Sequence, residues 1–109
     1  MENNSSLSFL SQQLLDQIKK TPLLLGYFSF PECQVCKVLK PRVQDLVRQF
    51  PPAEYLYIDI NLYPVLKGQF LVFTVPTLIL FREGKELKRF SRHFSLNELE
   101  TFLTRITET

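Results

Sequence analysis

The sequence is poor in the residues that build disulfide frameworks and metal sites. Its 109 residues include two cysteines, one histidine and no tryptophan. Two cysteines are too few for the cross-linked framework of a small secreted protein. Together with one histidine they do not supply the four ligands of a structural zinc site, so we expect no metal within one chain. A metal cluster shared between subunits is the alternative, and bound metal in the purified protein would reveal it.

Charge of one sign and long apolar runs are also scarce. The net charge is +2, from 13 basic and 11 acidic residues, whereas nucleic-acid binding calls for a clustered basic excess. No apolar run approaches the ~20 residues that span a bilayer. The polar segment Met1–Ser6 lacks the basic and apolar regions of a signal peptide. We therefore expect a cytoplasmic monomer that binds neither nucleic acid nor membranes.

The chain length predicts one domain, residues 1–109, with a core large enough to fold without cross-links. The hydrophobic patterns predict the element order α-β-α-β-α-β-β-α. In chain order, the predicted elements span Leu7–Lys20, Leu23–Ser29, Cys33–Phe50, Glu54–Ile60, Tyr63–Phe70, Thr77–Arg82, Glu86–Ser91 and Leu96–Ile106. Strands that alternate with helices favour parallel pairing, and the turn signal Glu83-Gly84 predicts an antiparallel pair at the end. The capping box Ser95-Leu96-Asn97-Glu98 predicts the start of the last helix.

Both cysteines lie where an apolar strand pattern gives way to a helical one. Cys33 falls at the first turn of the predicted helix, where the helix dipole and unpaired backbone N–H groups favour a thiolate. Cys36 follows one turn later and is close enough in sequence to form a disulfide with Cys33. The pattern predicts a dithiol that cycles between reduced and oxidised forms. The alternative is a pair of small core residues.

Three features together resemble the thioredoxin family over nearly the whole chain. They are Cys33-Gln34-Val35-Cys36, Pro41 inside the following helix, and Val75-Pro76-Thr77 just before an apolar strand. The resemblance implies a thioredoxin-like α/β fold with a central mixed four-stranded sheet flanked by helices. It also implies a cis peptide bond between Val75 and Pro76 and a groove in which the Val75 backbone pairs with an extended substrate. The substrate-binding residues implied are Val75, Pro76, Thr77, Gln34 and Val35.

The resemblance further implies that Cys33 is the nucleophile that attacks a disulfide in a partner protein. Cys36 then resolves the mixed disulfide, which leaves a reduced substrate and an oxidised Cys33–Cys36 pair. This chemistry uses no cofactor besides that redox-active disulfide. The sequence has no dinucleotide fingerprint, so an external reductase or a small thiol must supply the electrons. The dithiol can also run as an oxidant, and its potential decides the direction.

A second hypothesis is a thioredoxin-fold binding or regulatory module with slow or no general reductase activity. It is favoured by departures from the family around the dithiol. Where thioredoxins usually have a buried aspartate and often a nearby lysine, this chain has Tyr27 and Tyr57. The loss of both partners leaves neither charge buried alone. In place of two flanking tryptophans stand Ser29 and Glu32, so we expect a dithiol tuned differently from other members.

The remaining polar and aromatic residues have structural interpretations. Tyr27 and Tyr57 are predicted core residues, and His93 is a predicted solvated loop residue. Phe30 and Phe73 are expected either to form an apolar collar around the dithiol or to belong to the core. A solvated helix face is predicted for Lys37, Lys40, Arg42 and Arg48. Edge-strand charges that discourage aggregation are predicted at Arg82, Lys85, Lys88, Arg89 and Arg92.

Overall fold

A computed structural model describes residues 2–91 and 93–108, with side chains in the first helix from Leu7 onwards. The order of elements is the predicted one. The helices are α1 (Glu2–Lys20), α2 (Gln34–Arg48), α3 (Pro64–Gln69) and α4 (Leu96–Thr107). The strands are β1 (Leu23–Ser29), β2 (Glu54–Asp59), β3 (Thr77–Arg82) and β4 (Lys85–Ser91). Arg92, predicted as an edge-strand charge, lies outside the described residues.

The four strands form one mixed sheet in the order β2-β1-β3-β4. β1 pairs with β2 in parallel and with β3 in antiparallel orientation, and β3 pairs with β4 in antiparallel orientation. All seven residues of β1 are buried, as expected for a central strand covered on both faces. The mixed, helix-flanked sheet confirms the predicted fold class.

Parallel pairing, however, was the wrong expectation for β3. A parallel crossover must carry the chain back along the full length of the sheet. α3 has six residues and spans only about 9 Å, against about 20 Å for a six-residue strand. The chain instead enters β3 from the end of the sheet at which it left β2.

Helices cover both faces of the sheet and divide the core into two clusters. One cluster joins α2 and α4 to the sheet, with Leu25 and Tyr27 from β1 among its buried members. The other joins α1 and α3 to the opposite face, with Leu24 and Phe28 from β1. Since side chains alternate along a strand, Tyr27 faces the layer that carries the cysteines.

Two local signals act as expected at the ends of elements, and one boundary differs. At the Glu83-Gly84 turn both residues have positive φ, 50° and 86°, which is the two-residue hairpin turn that matches strand twist. Ser95 caps α4, where its Oγ accepts the Glu98 N–H at 3.1 Å. α1 begins at Glu2 rather than near Leu7. Polar residues have a lower helix propensity, but the free-energy cost per residue is too small to end a helix.

Candidate functional site

Cys33 and Cys36 lie at the start of α2 and are joined by a disulfide, with their Cα atoms 5.2 Å apart. Cys33 is the N-cap residue, and its Sγ accepts the backbone N–H of Cys36 at 3.3 Å. Cys33 is half-buried, whereas Cys36 is only 4% exposed. The pair is therefore asymmetric: the outer sulfur lies at the positive end of the helix and the inner one faces the core.

Tyr27 lies directly beneath the inner cysteine. Its hydroxyl donates a hydrogen bond to the carbonyl oxygen of Cys36 at 3.1 Å, and the ring is fully buried. Burial, reinforced by the neighbouring Tyr57, raises the pKa of Tyr27 to about 12, so the hydroxyl remains a donor at neutral pH. The sequence predicted a core tyrosine at this position but not its hydrogen bond.

A cavity of about 260 Å³ opens beside Cys36. Its lining residues are Ser29, Phe30, Pro31, Cys36, Lys37, Lys40 and Tyr57. The Nζ atom of Lys40 lies 4.1 Å from the centre of the Tyr57 ring. Lys40 is half-buried, so the solvated helix face predicted for it is wrong, although Lys37, Arg42 and Arg48 are exposed. The long stem of a lysine can lie against the core while its ammonium group stays at the surface.

Burial raises the pKa of the Tyr57 hydroxyl, and the Asp59 and Glu32 carboxylates raise it further. Tyr57 is half-buried, and its ring stacks on that of Tyr27 with 6.2 Å between centroids. The aromatic lining of the cavity comes from Phe30 and Tyr57. Lys40 supplies a cation to that lining.

The peptide bond between Val75 and Pro76 is cis, as predicted. Pro76 and Thr77 are buried, and the Thr77 hydroxyl donates to the carbonyl oxygen of Thr74 at 2.6 Å. Val75 and Cys33 both pack against the core cluster that contains Cys36. Between the cysteines, Gln34 and Val35 are exposed, and 67% of Val35 is accessible. The pairing of Val75 with a substrate backbone stays a prediction.

The segment that precedes Val75 is held by a residue that the sequence did not single out for this role. Arg89 of β4 donates to the carbonyl oxygens of Leu71 and Phe70 at 2.9 and 2.8 Å. Glu86 accepts two further hydrogen bonds from the same guanidinium. No short motif marks such a contact, because its partners are backbone atoms 18 and 19 residues away. Arg89 was predicted as an edge-strand charge only.

Two aromatic side chains and the single histidine have different surroundings. Phe73 is 82% exposed, and Phe30 is half-buried against the second core cluster. His93 is exposed, as predicted. Within residues 2–91 and 93–108, no three histidine, cysteine, aspartate or glutamate residues lie close enough together to hold a metal ion. None of the described helices is long and apolar enough to cross a membrane.

A dithiol at the start of a helix, on a mixed α/β sheet with a nearby cis-proline, defines a thioredoxin-like thiol–disulfide protein. Residues 6–105 match the family model described as Thioredoxin. The thioredoxin-like protein YdfQ of Bacillus subtilis is 35% identical over 89 residues, which cover 82% of this chain and 80% of that protein. A thioredoxin of Chlamydia trachomatis is 35% identical over 78 residues, which cover 72% and 76% of the two proteins.

Solved structures give the same result. Thioredoxin 1 of Thermosipho africanus superposes with a TM-score of 0.72 at 36% identity, over 76% of this chain and 92% of that one. A mutant thioredoxin from Halobacterium salinarum gives a TM-score of 0.79 at 26% identity, over 90% and 86% of the two chains. The chain therefore belongs to the thioredoxin family. Family membership and the Cys33–Cys36 pair support thiol–disulfide oxidoreductase activity, with a redox-active disulfide in place of a cofactor.

Proposed function

We propose that the protein reduces disulfide bonds in other proteins through its Cys33–Cys36 dithiol. The observation that carries this proposal is the asymmetry of the pair at the start of α2. Cys33 is the more accessible sulfur and lies at the N-cap, whereas Cys36 is 4% exposed. A partner disulfide can reach Cys33, and only a sulfur already inside the site can reach Cys36. This asymmetry suits Cys33 as the nucleophile and Cys36 as the resolving residue.

The reaction proceeds in two exchange steps. The Cys33 thiolate attacks one sulfur of the partner disulfide, so a mixed disulfide forms and the other partner sulfur leaves as a thiolate. Cys36 then attacks Cys33, which closes the Cys33–Cys36 disulfide and releases the second partner sulfur. Two electrons pass from the dithiol to the partner, whose two sulfurs take up the two protons.

In this proposal the substrate binds to residues on two sides of the dithiol. They are the exposed Gln34 and Val35 and the segment Val75-Pro76-Thr77. An extended peptide would pair with the Val75 backbone and place its disulfide over Cys33. An external reductase or a small thiol returns the two electrons. The remaining parts of the proposal are one domain over residues 1–109, a monomer, and a cytoplasmic location, where thiols are kept reduced.

The test is reduction of insulin disulfides with a thioredoxin reductase as electron donor. The wild-type protein should turn over, and Cys33→Ser should reduce the rate to background. Cys36→Ser should accumulate mixed disulfides through Cys33, which non-reducing electrophoresis and mass spectrometry detect. If Cys33→Ser traps partners through Cys36 instead, the two roles are reversed. If the wild-type dithiol cycles normally but insulin is not reduced, the protein is a binding or regulatory module rather than a general reductase.

A further inference from the structure

The cavity beside Cys36 brings a cation to the inner cysteine. Cys36 and Lys40 are four residues apart on α2, so they lie on the same face of the helix. Both line the cavity of about 260 Å³, together with Lys37 and Tyr57. Among the described residues, the lining contains two lysines and no carboxylate. The charged side chains that line this cavity together with Cys36 are therefore both cationic.

Tyr57 fixes the position of the Lys40 ammonium. The Nζ atom lies 4.1 Å from the ring centroid, over the electron-rich face of the ring. Tyr57 pairs with Tyr27 in the β1–β2 register, and the Tyr27 hydroxyl donates to the Cys36 carbonyl oxygen at 3.1 Å. Two adjacent strands thus hold both partners of the Lys40–Tyr57 contact: β2 carries Tyr57, and Tyr27 of β1 binds α2, the helix that carries Lys40. A lysine in an extended, solvated conformation would not be held at the cavity in this way.

We propose that Lys40, held in place by Tyr57, stabilises the thiolate of Cys36 and so prepares it for the resolving step. Lys40 acts through Cys36 and is a positioning residue, not a catalytic one. The proposal rests on the role of Cys36 proposed above. In that step Cys36 loses its proton to solvent, and its sulfur attacks Cys33. The new Cys33–Cys36 bond forms as the bond from Cys33 to the partner breaks, and the partner sulfur leaves with the electron pair and takes up a proton.

Other charged and titratable groups around Cys36 modify this effect. Lys37 lines the same cavity and acts in the same direction. Glu32 and Asp59 lie close enough to Tyr57 to raise its pKa, and they oppose the cations. The buried members that β3, β4 and α4 contribute to the core cluster around Cys36 are apolar: Leu78, Leu80, Phe90, Leu99 and Leu103. From the sheet, Tyr27, Tyr55 and Tyr57 face the same cluster, as does the half-buried Cys33.

Removal of the Lys40 charge should change the way in which the rate of the resolving step depends on pH. A nearby opposite charge lowers the pKa of an acidic group, and for a partly exposed pair we expect Lys40→Met to raise the Cys36 thiol pKa by about 0.5 to 1 unit. A thiolate of higher pKa is also a better nucleophile, with a Brønsted coefficient of about 0.4 to 0.5. In the profile of resolution rate against pH, Lys40→Met should therefore be about two- to fourfold slower than the wild type below the midpoint. On the alkaline plateau it should be about two- to threefold faster. The two pH profiles should cross.

The experiment follows resolution in the full-length reduced protein. An aromatic disulfide with a coloured thiolate releases one equivalent when Cys33 attacks and a second when Cys36 resolves. The second phase is intramolecular, so its rate does not depend on reagent concentration. We compare its pH profile in the wild type, Lys40→Met, Lys40→Arg and Lys85→Met, where Lys85 is an exposed β4 lysine outside the cavity. Lys40→Arg and Lys85→Met should keep the wild-type midpoint.

Two results would overturn the proposal. The Lys40→Met profile could keep the wild-type midpoint, or the rate of resolution could be lowered by the same factor at every pH. Tyr57 provides an independent route if Lys40→Met does not fold. Tyr57→Phe keeps the ring and should keep the profile, whereas Tyr57→Leu should shift it in the same direction as loss of the charge. A shift in Tyr57→Phe would assign the effect to the hydroxyl and refute the role of Lys40. Failure of the proposed function has a different signature. If Cys36 does not resolve, the wild type itself releases no second equivalent, and if the protein is not a general reductase, the wild type releases both equivalents but leaves insulin disulfides intact.

Discussion

At the scale of single residues, two tyrosines that face the same core cluster provide a matched test of hydrogen bonding. The Tyr27 hydroxyl donates to the carbonyl oxygen of Cys36, whereas the buried Tyr55 hydroxyl has no partner among the described residues. Tyr27→Phe should lower the free energy of unfolding by about 1 kcal/mol, the net worth of one buried hydrogen bond. Tyr55→Phe removes an unpaired polar group and should leave stability unchanged or raise it. Urea unfolding of both variants measures the difference, and equal losses would contradict the assignment.

The sequence placed Cys36 and Tyr27 correctly and Lys40 wrongly, and it could not name the partners of any of them. Spacing predicted that Cys36 lies one turn inside Cys33, and the structure places it there, 4% exposed. The same spacing placed Lys40 on a polar helix face, yet the side chain lies over Tyr57. Periodicity reports which face of a helix a Cα occupies. It does not report whether a long side chain reaches across a cavity to another strand.

At the scale of elements, Arg89 ties β4 to the segment between α3 and β3. Its guanidinium donates to the carbonyl oxygens of Phe70 and Leu71. Leu71 has a positive φ of 54°, which is uncommon for a residue other than glycine, so this turn depends on such contacts. Arg89→Met should lower the free energy of unfolding by about 1 kcal/mol and raise the KM for a disulfide substrate, because the segment leads to Val75 and Pro76.

Arg48→Met is the matched control for this prediction. Arg48 also forms a salt bridge three residues from its partner, Asp45, but both side chains are about two-thirds exposed, at 68% and 67%. Surface pairs of this kind contribute little. Loss of Arg48 should therefore change neither stability nor KM. An equal effect of the two arginine substitutions would show that the backbone contacts of Arg89 are unimportant.

The Glu86–Arg89 pair also makes this contact sensitive to acid. The hydrogen bond from Arg89 lowers the pKa of Glu86 from 4.5, its charge adds to that effect, and burial opposes it. A lowered folded-state pKa gives stability that is present above the unfolded value and lost as pH falls through the folded one. Urea unfolding should show Glu86→Gln less stable than the wild type at pH 7, with the difference shrinking as the pH falls below 4.5. A difference that persists at pH 2 would exclude the ionic contribution.

Elements were predictable where the signal is local. The Glu83-Gly84 turn and the Ser95 cap depend on a few neighbouring residues, and both form as expected. The direction of β3 depends on the course of the chain between β2 and β3, which local patterns do not reveal. Arg89 shows the same limit, because its partners lie 18 and 19 residues away. The cis bond before Pro76 was predicted only through the family resemblance.

At the scale of the whole molecule, the direction of the redox reaction is linked to stability. Folding and disulfide formation make a closed thermodynamic cycle. The dithiol has one reduction potential in the folded chain and another in the unfolded chain. The difference between these potentials, converted to free energy, equals the difference in free energy of unfolding between the oxidised and reduced proteins. For this two-electron couple, about 30 mV corresponds to about 1.4 kcal/mol. A reductant needs a native state that favours the disulfide. If the protein is a reductase as proposed, its oxidised form should have the higher urea midpoint, and the reverse order would mark it as an oxidant.

Unfolding is best followed by circular dichroism, because the chain has no tryptophan. Cys33→Ser, with and without reductant, is the control: it cannot form the disulfide, so its midpoint should not change. The oxidised protein buries Cys36 in the α2–α4 core cluster, and reduction places two thiols at the same site. If Lys40 stabilises the Cys36 thiolate, it stabilises the reduced form, and Lys40→Met should change the difference between the two midpoints above the thiol pKa. Expressed as the oxidised midpoint minus the reduced midpoint, this difference should rise whichever form is the more stable, and a fall there would contradict the assigned role of Lys40.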